Sequence, residues 1–199
     1  GPPTAATPAP AEDGAARLAA GLAENPETEL SAATTLLSRW QVGSAEASVR
    51  AATRCPAVIA SGLHCLRGRG TLEQVVSFDR PLILLLDTAG QPAHVLLQGA
   101  GPGRVRIDLA GDSIELPREA LGRFWSGDFL AIWRVPTAIA GPLRLGDAGP
   151  AVAWAKHSLG RLDGGADGES GPAYFDADLV ERVRKLQLAY GIQADGIIG

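Results

Sequence analysis

Two cysteines, Cys55 and Cys65, stand ten positions apart in a chain of 199 residues, and a sulfur pair so spaced has three chemistries open to it. Joined in a disulfide they close a short loop, which stabilises a fold by about 2–3 kcal/mol on the chain-entropy relation and requires an oxidising compartment. Left reduced they are two buried thiols. As metal ligands they need company: zinc takes four ligands, and His64 is the only further ligand type nearby. The remaining histidines, His94 and His157, keep no ligand spacing with it, so neither a metal nor any other cofactor is expected.

The elements that must place these residues change character along the chain. Residues 1–12, rich in Pro and Ala, have the composition of an extended linker, because repeated proline removes backbone donors and holds polyproline-like angles. The Ala- and Leu-rich stretch 13–25 reads as a helix, and Pro26 opens a second with Leu30, Ala33, Leu37 and Trp40 on one face. A third helical stretch over 45–53 and a fourth short one opening at Cys55-Pro56 follow. The period then changes: 81–86 is a continuous apolar run suited to a central strand, and strands are predicted at 93–98, 104–109, 112–116 and 128–133, with a turn or two of helix within 117–124. Helices followed by an antiparallel meander make the fold class α+β.

Residues 136–142, with Pro at both ends, read as a connection, which places a boundary near residue 138 and divides the chain into 13–138 and 139–199. The second part opens a helix at Pro150 with Val152, Ala155 and Leu159 facing a core. Asp176 caps the next helix, Phe175 staples onto Val180, and Leu179, Val183, Leu186 and Tyr190 form its buried stripe until Gly191.

Composition narrows the class of partner. The formal charge of -4 and the absence of a basic run argue against nucleic acid and anionic membrane surfaces, which are bound through clustered Lys and Arg. No run of about 18 apolar residues exists to span a bilayer. The chain contains no Met, which implies a processed product or a fragment.

The last 57 residues carry a spaced pattern: Leu145-Gly146-Asp147-x-Gly149, a helix, a Gly-rich loop, Val183-x-x-x-Gln187 on a second helix, then Gly191-Ile192-x-x-Asp195-Gly196-x-x-Gly199. It resembles the small three-helix peptidoglycan-binding domain that bacteria append to cell-wall enzymes and envelope proteins. Peptidoglycan stem peptides present amides, carboxylates and amines, so a binder needs hydrogen-bond groups of both signs beside an aromatic surface. Tyr174, Arg184, Gln187, Tyr190 and Asp195 are the candidates; the competing reading ties Gln187 and Asp195 to the loop backbone and leaves Arg182 and Lys185 on a solvated face.

In the first part, residues 93–97 around His94 and 105–111 around Asp108, with Phe124-Trp125-Ser126-Gly127 downstream, resemble the His and Asp strands of the papain-like peptidases that trim double-glycine leaders. In that family a Cys at the start of an early helix attacks the peptide carbonyl, His takes its proton, Asp orients the His, and an upstream Gln helps hold the oxyanion. The expected nucleophile position falls at residues 41–46, where the chain has Gln41 and Ser44 but no Cys. Ser44, His94 and Asp108 are therefore degenerate positions of a peptidase-like fold without peptidase activity. The competing reading is an active cell-wall or leader peptidase using Cys55, Cys65 or Ser44.

A leader-peptidase-like domain beside a peptidoglycan-binding module, behind a Pro/Ala linker, resembles the periplasmic part of the general secretion pathway protein A family of type II secretion systems. That family carries a cytoplasmic ATPase and one transmembrane helix ahead of the linker. The resemblance implies a periplasmic anchor that oligomerises on the cell wall, where linked copies raise effective concentration, and that works with an inner-membrane partner protein to pass the secretin through the wall.

Overall fold

The computed structural model describes residues 12–25, 27–43, 47–90, 92–135, 139, 141–164 and 173–199. The Pro/Ala segment before residue 12, most of the connection around 136–140 and the expected position Ser44 lie outside them.

A seven-stranded antiparallel sheet in the order β1-β2-β7-β3-β4-β5-β6 carries the first part of the chain. Its centre is β3 (Leu82–Leu86), β4 (Ala93–Ala100), β5 (Arg104–Leu109) and β6 (Asp112–Pro117), a meander matching the expected strands. After a single helical turn, α5 (Arg118–Leu121), the strand β7 (Asp128–Arg134) returns to lie between β2 and β3.

All five residues of β3 are buried, and the alternation of a strand explains why the run is apolar throughout. Leu82, Leu84 and Leu86 face Val95, Ile107, Phe129 and Leu18 of α1 (Glu12–Glu24); Ile83 and Leu85 face the opposite core with Leu96, Leu130 and Ile132. That second core is closed by Ala32, Ala33, Leu36 and Leu37 of α2 (Thr28–Arg39) and by Ala52 of α3 (Val49–Arg54). Helix α1 approaches the sheet closely because it carries glycine where it touches: a Cβ at Gly21 would stand 2.7 Å from the Leu109 side chain.

Two strands depart from the sequence expectation. Instead of opening a helix, Cys55 ends α3 in a left-handed conformation (φ 47°), and a hairpin follows, β1 (Val58–Ala60) and β2 (Leu63–Arg69). The reason is long-range: β2 pairs with β7 over its whole length, from Leu63 opposite Arg134 to Arg69 opposite Asp128. Gly68, an unpromising strand residue, sits under the ring of Phe129, where a Cβ would come within 2.5 Å of the ring. The short helix α4 (Leu72–Val76) then starts on a capping box in which Thr71 and Gln74 exchange hydrogen bonds.

Residues 143–198 gather a separate apolar cluster. Here α6 (Pro150–Leu162) supplies Val152, Ala155 and Leu159; α7 (Ala177–Ala189) supplies Leu179 and Val183; Phe175 is fully buried between them. Asp176 caps α7 as expected, accepting the Leu179 N–H at 2.8 Å. Of the three helices expected, the described residues contain two, and the closing segment is a loop held by a bridge between Leu143 and Ile198.

Candidate functional site

His94 and Asp108 both lie on the sheet face that meets α2. Leu96 is opposite Asp108 in register and shares its face with His94 two residues earlier. The α2 start lies against this strand: the His94 backbone N–H donates to Thr28 Oγ1 at 2.8 Å, and Thr28 is buried at 3% exposure. A helix start beside the histidine is thus residue 28, which carries a hydroxyl whose oxygen is engaged by backbone; the expected position Ser44 lies outside the described residues. The sequence signal for it was Pro26, which marks a helix start, but its apposition to the histidine exists only in three dimensions.

Asp108 is committed elsewhere. Its carboxylate accepts the Gly111 N–H at 3.0 Å and the Gln98 amide at 3.3 Å, and Gln98 in turn accepts from the Ser113 hydroxyl at 3.3 Å. These contacts hold the β5–β6 turn, where Ala110 and Gly111 both take positive φ. Among the described residues no hydrogen bond joins Asp108 to His94. Burial lowers the His94 pKa below its ordinary 6.5; Glu29 opposes this and Arg67 adds to it. Burial thus favours the neutral imidazole, and among the described residues no carboxylate is hydrogen-bonded to it.

The two sulfurs resolve into the first of their three chemistries: Cys55 and Cys65 form a disulfide, with Cα atoms 5.2 Å apart, that ties the end of α3 to β2. A bonded sulfur offers no thiolate, so neither cysteine is a nucleophile in this state. His64 packs against the ring of Trp133, with centroids 5.9 Å apart.

The five residues assigned to a wall ligand separate into two groups. Gln187, buried at 8% exposure, donates to Asp195 Oδ1 and to the Ile197 carbonyl and accepts the Gly196 N–H, each at 2.9 Å. Asp195 also accepts the Ile197 N–H at 2.9 Å. Both side chains bind the closing loop to α7.

Tyr190 is likewise occupied: its ring meets Phe78 edge-on at 4.9 Å, Gln74 donates to the Leu188 carbonyl at 3.1 Å, and Gly191 (φ 68°) lies against the backbone at Arg69. The end of α7 is therefore docked on the first part of the chain through Gln74 and Phe78, which sequence reasoning had not singled out. Tyr174 and Arg184 remain at the surface, Arg184 paired with Glu181 at 2.7 Å. Arg182, expected on a solvated face, reaches Asp163 at 2.9 Å.

Comparison with known proteins adds relatives to this geometry. The chain is 27% identical over 140 residues to "General secretion pathway protein A" of Aeromonas hydrophila, covering 70% of this chain and 25% of that protein. It is 21% identical over 145 residues to "Putative general secretion pathway protein A" of Escherichia coli (strain K12), covering 73% of this chain and 29% of that protein. The chain thus spans about a quarter of the length of the curated relatives it matches. Among solved structures, a periplasmic domain of the EpsAB fusion protein of the Vibrio vulnificus type II secretion system aligns with a TM-score of 0.45 and 26% identity, over 74% of this chain and 64% of that one. The family model described as "GspA, peptidase C39-like domain" matches residues 22–135, more than half of the chain, and the chain belongs to that family.

Proposed function

We propose that the chain is a non-catalytic periplasmic region of a type II secretion assembly protein, in which residues 13–138 form a peptidase-like domain that contacts protein partners and residues 139–199 bind peptidoglycan. The observation that supports the non-catalytic half is the state of the candidate nucleophiles among the described residues: both cysteines are in one disulfide, and the helix start beside His94 presents Thr28, whose oxygen already accepts a backbone N–H. A neutral His94 without a hydrogen-bonded Asp108 lacks the orientation that activates a hydroxyl.

The wall-binding half rests on the spaced pattern of 143–199, which the family model does not span. In this reading the ligand meets Tyr174 and Arg184, since Gln187, Asp195 and Tyr190 are engaged within the fold. Copies assembled on one polymer would gain avidity without new contacts, and an inner-membrane partner and the secretin are the proteins such an anchor would serve. Co-sedimentation with purified sacculi tests it. The full chain is expected to pellet above a control protein, and Tyr174→Ala and Arg184→Ala each to weaken binding about tenfold, the equivalent of about 1.4 kcal/mol for a lost contact. A chain that stays in the supernatant, or variants that pellet unchanged, would sink the respective half of this assignment.

A further inference from the structure

The proline-flanked connection sets residues 143–199 apart, and two parts of one chain so joined move relative to one another unless a substantial apolar contact stops them. The end of α7 supplies such a contact. Neither Tyr190 nor Ile192, which close that helix, joins the apolar cluster of the second part. Both turn to the first part instead. The Tyr190 ring meets Phe78 edge-on, Phe78 in turn meets Phe129 at 5.5 Å, and Ile192 packs against the core cluster that contains Leu82, Phe129 and Ala131.

Polar groups hold the same end in register. An α-helix leaves its last four carbonyls outside its own hydrogen-bond ladder, and that of Leu188 is one of them. Gln74 Nε2 donates to it at 3.1 Å, and the Gln74 amide is held in place because its Oε1 accepts the Thr71 N–H at 2.8 Å in the capping box of α4. The first part thus caps a helix of the second. Beside this bond Gly191 (φ 68°) brings backbone against backbone: a Cβ there would stand 3.0 Å from the Arg69 carbonyl oxygen and 3.1 Å from the Gly70 Cα. That platform is itself fixed, since the Gly70 N–H donates to the Gly127 carbonyl at 3.1 Å, just before β7.

We propose that residues 188–192 are an interdomain latch that makes the two parts one rigid body, so that the exposed side chains of Tyr174 and Arg184 keep a single orientation toward the sheet. A surface on either part is then presented at a fixed angle to the other, which a jointed pair of domains cannot do. The inference is independent of peptidoglycan binding, because it concerns how the two parts are held and not what their surfaces meet.

Residual dipolar couplings of the backbone N–H groups, measured on the full chain in a dilute liquid-crystal medium, test the latch. In the parent, one alignment tensor is expected to fit the described residues of 27–135 and of 143–199 together, in the orientation of the structure. Tyr190→Ala/Ile192→Ala removes both apolar contacts without touching the second part's own cluster. The couplings of each part should then still fit that part's own coordinates, which shows that it is folded, while the tensor of 143–199 shrinks by about half through averaging over orientations. Gln74→Ala/Phe78→Ala strips the same contact from the first part, leaves the sequence of the second untouched and should have the same effect. Two unequal tensors in the parent, or one shared tensor in a variant whose two parts each remain folded, would overturn the latch.

Discussion

Gln187→Ala separates a residue that holds a loop from a residue that holds a ligand. The side chain makes three hydrogen bonds of 2.9 Å, to Asp195, the Ile197 carbonyl and the Gly196 N–H. Truncation leaves Asp195 with its other donor, the Ile197 N–H, so the groups stranded are the buried Gly196 N–H and the Ile197 carbonyl. An unsatisfied buried polar group costs about 1–3 kcal/mol. The carbonyl belongs to a half-buried residue and regains water in part, so the expected loss is about 2–4 kcal/mol. Urea unfolding followed by circular dichroism should show a midpoint lowered by about 1–2 M for a slope near 2 kcal/mol/M. Amide exchange at Gly196 should quicken at least about 30-fold, the factor that 2 kcal/mol represents. A loss below about 0.5 kcal/mol with unchanged Gly196 exchange, together with abolished sacculus binding, would refute the structural role and return Gln187 to the ligand side.

Two further outcomes follow from the first part of the chain. The double variant Cys55→Ala/Cys65→Ala should lose about 2–3 kcal/mol in denaturant unfolding, and the parent chain under strong reductant should fall to the same midpoint; two alkylatable thiols in the unreduced, unfolded chain would contradict the disulfide. For His94 the folded pKa is below 6.5, so its contribution is intact above that pH and is lost as pH falls, when the unfolded chain binds the proton more readily than the folded one. Stability should therefore decline more steeply below pH 6.5 in the parent than in His94→Gln, and parallel pH profiles would exclude the burial account.

Periodicity made much of the fold legible. The strands β3 to β7 and helices α1, α2 and α7 stand where their apolar spacing and caps put them, because each buries a face whose period is written locally. The hairpin β1–β2 was not legible: Leu63–Arg69 contains a glycine and two arginines, and it is a strand because β7, some 65 residues later in sequence, supplies both its ladder and the ring that covers Gly68. The apposition of Thr28 to His94 has the same origin: it depends on how α2 packs across β4, which no local pattern announces.

By itself the sequence determined the α+β class, the spacing of two cysteines able to pair, and the patterns at both ends that point to a secretion-pathway family, since these depend on residue type and local period. Tertiary structure alone decided how the polar side chains are used. Gln187 and Asp195 turned inward to a loop, Tyr190 to Phe78, and Asp108 to the Gly111 turn, while Arg80 came to lie over the Trp40 ring. A polar residue type states only which bonds are possible; which partner lies within about 3 Å is set by the packing of segments distant in sequence.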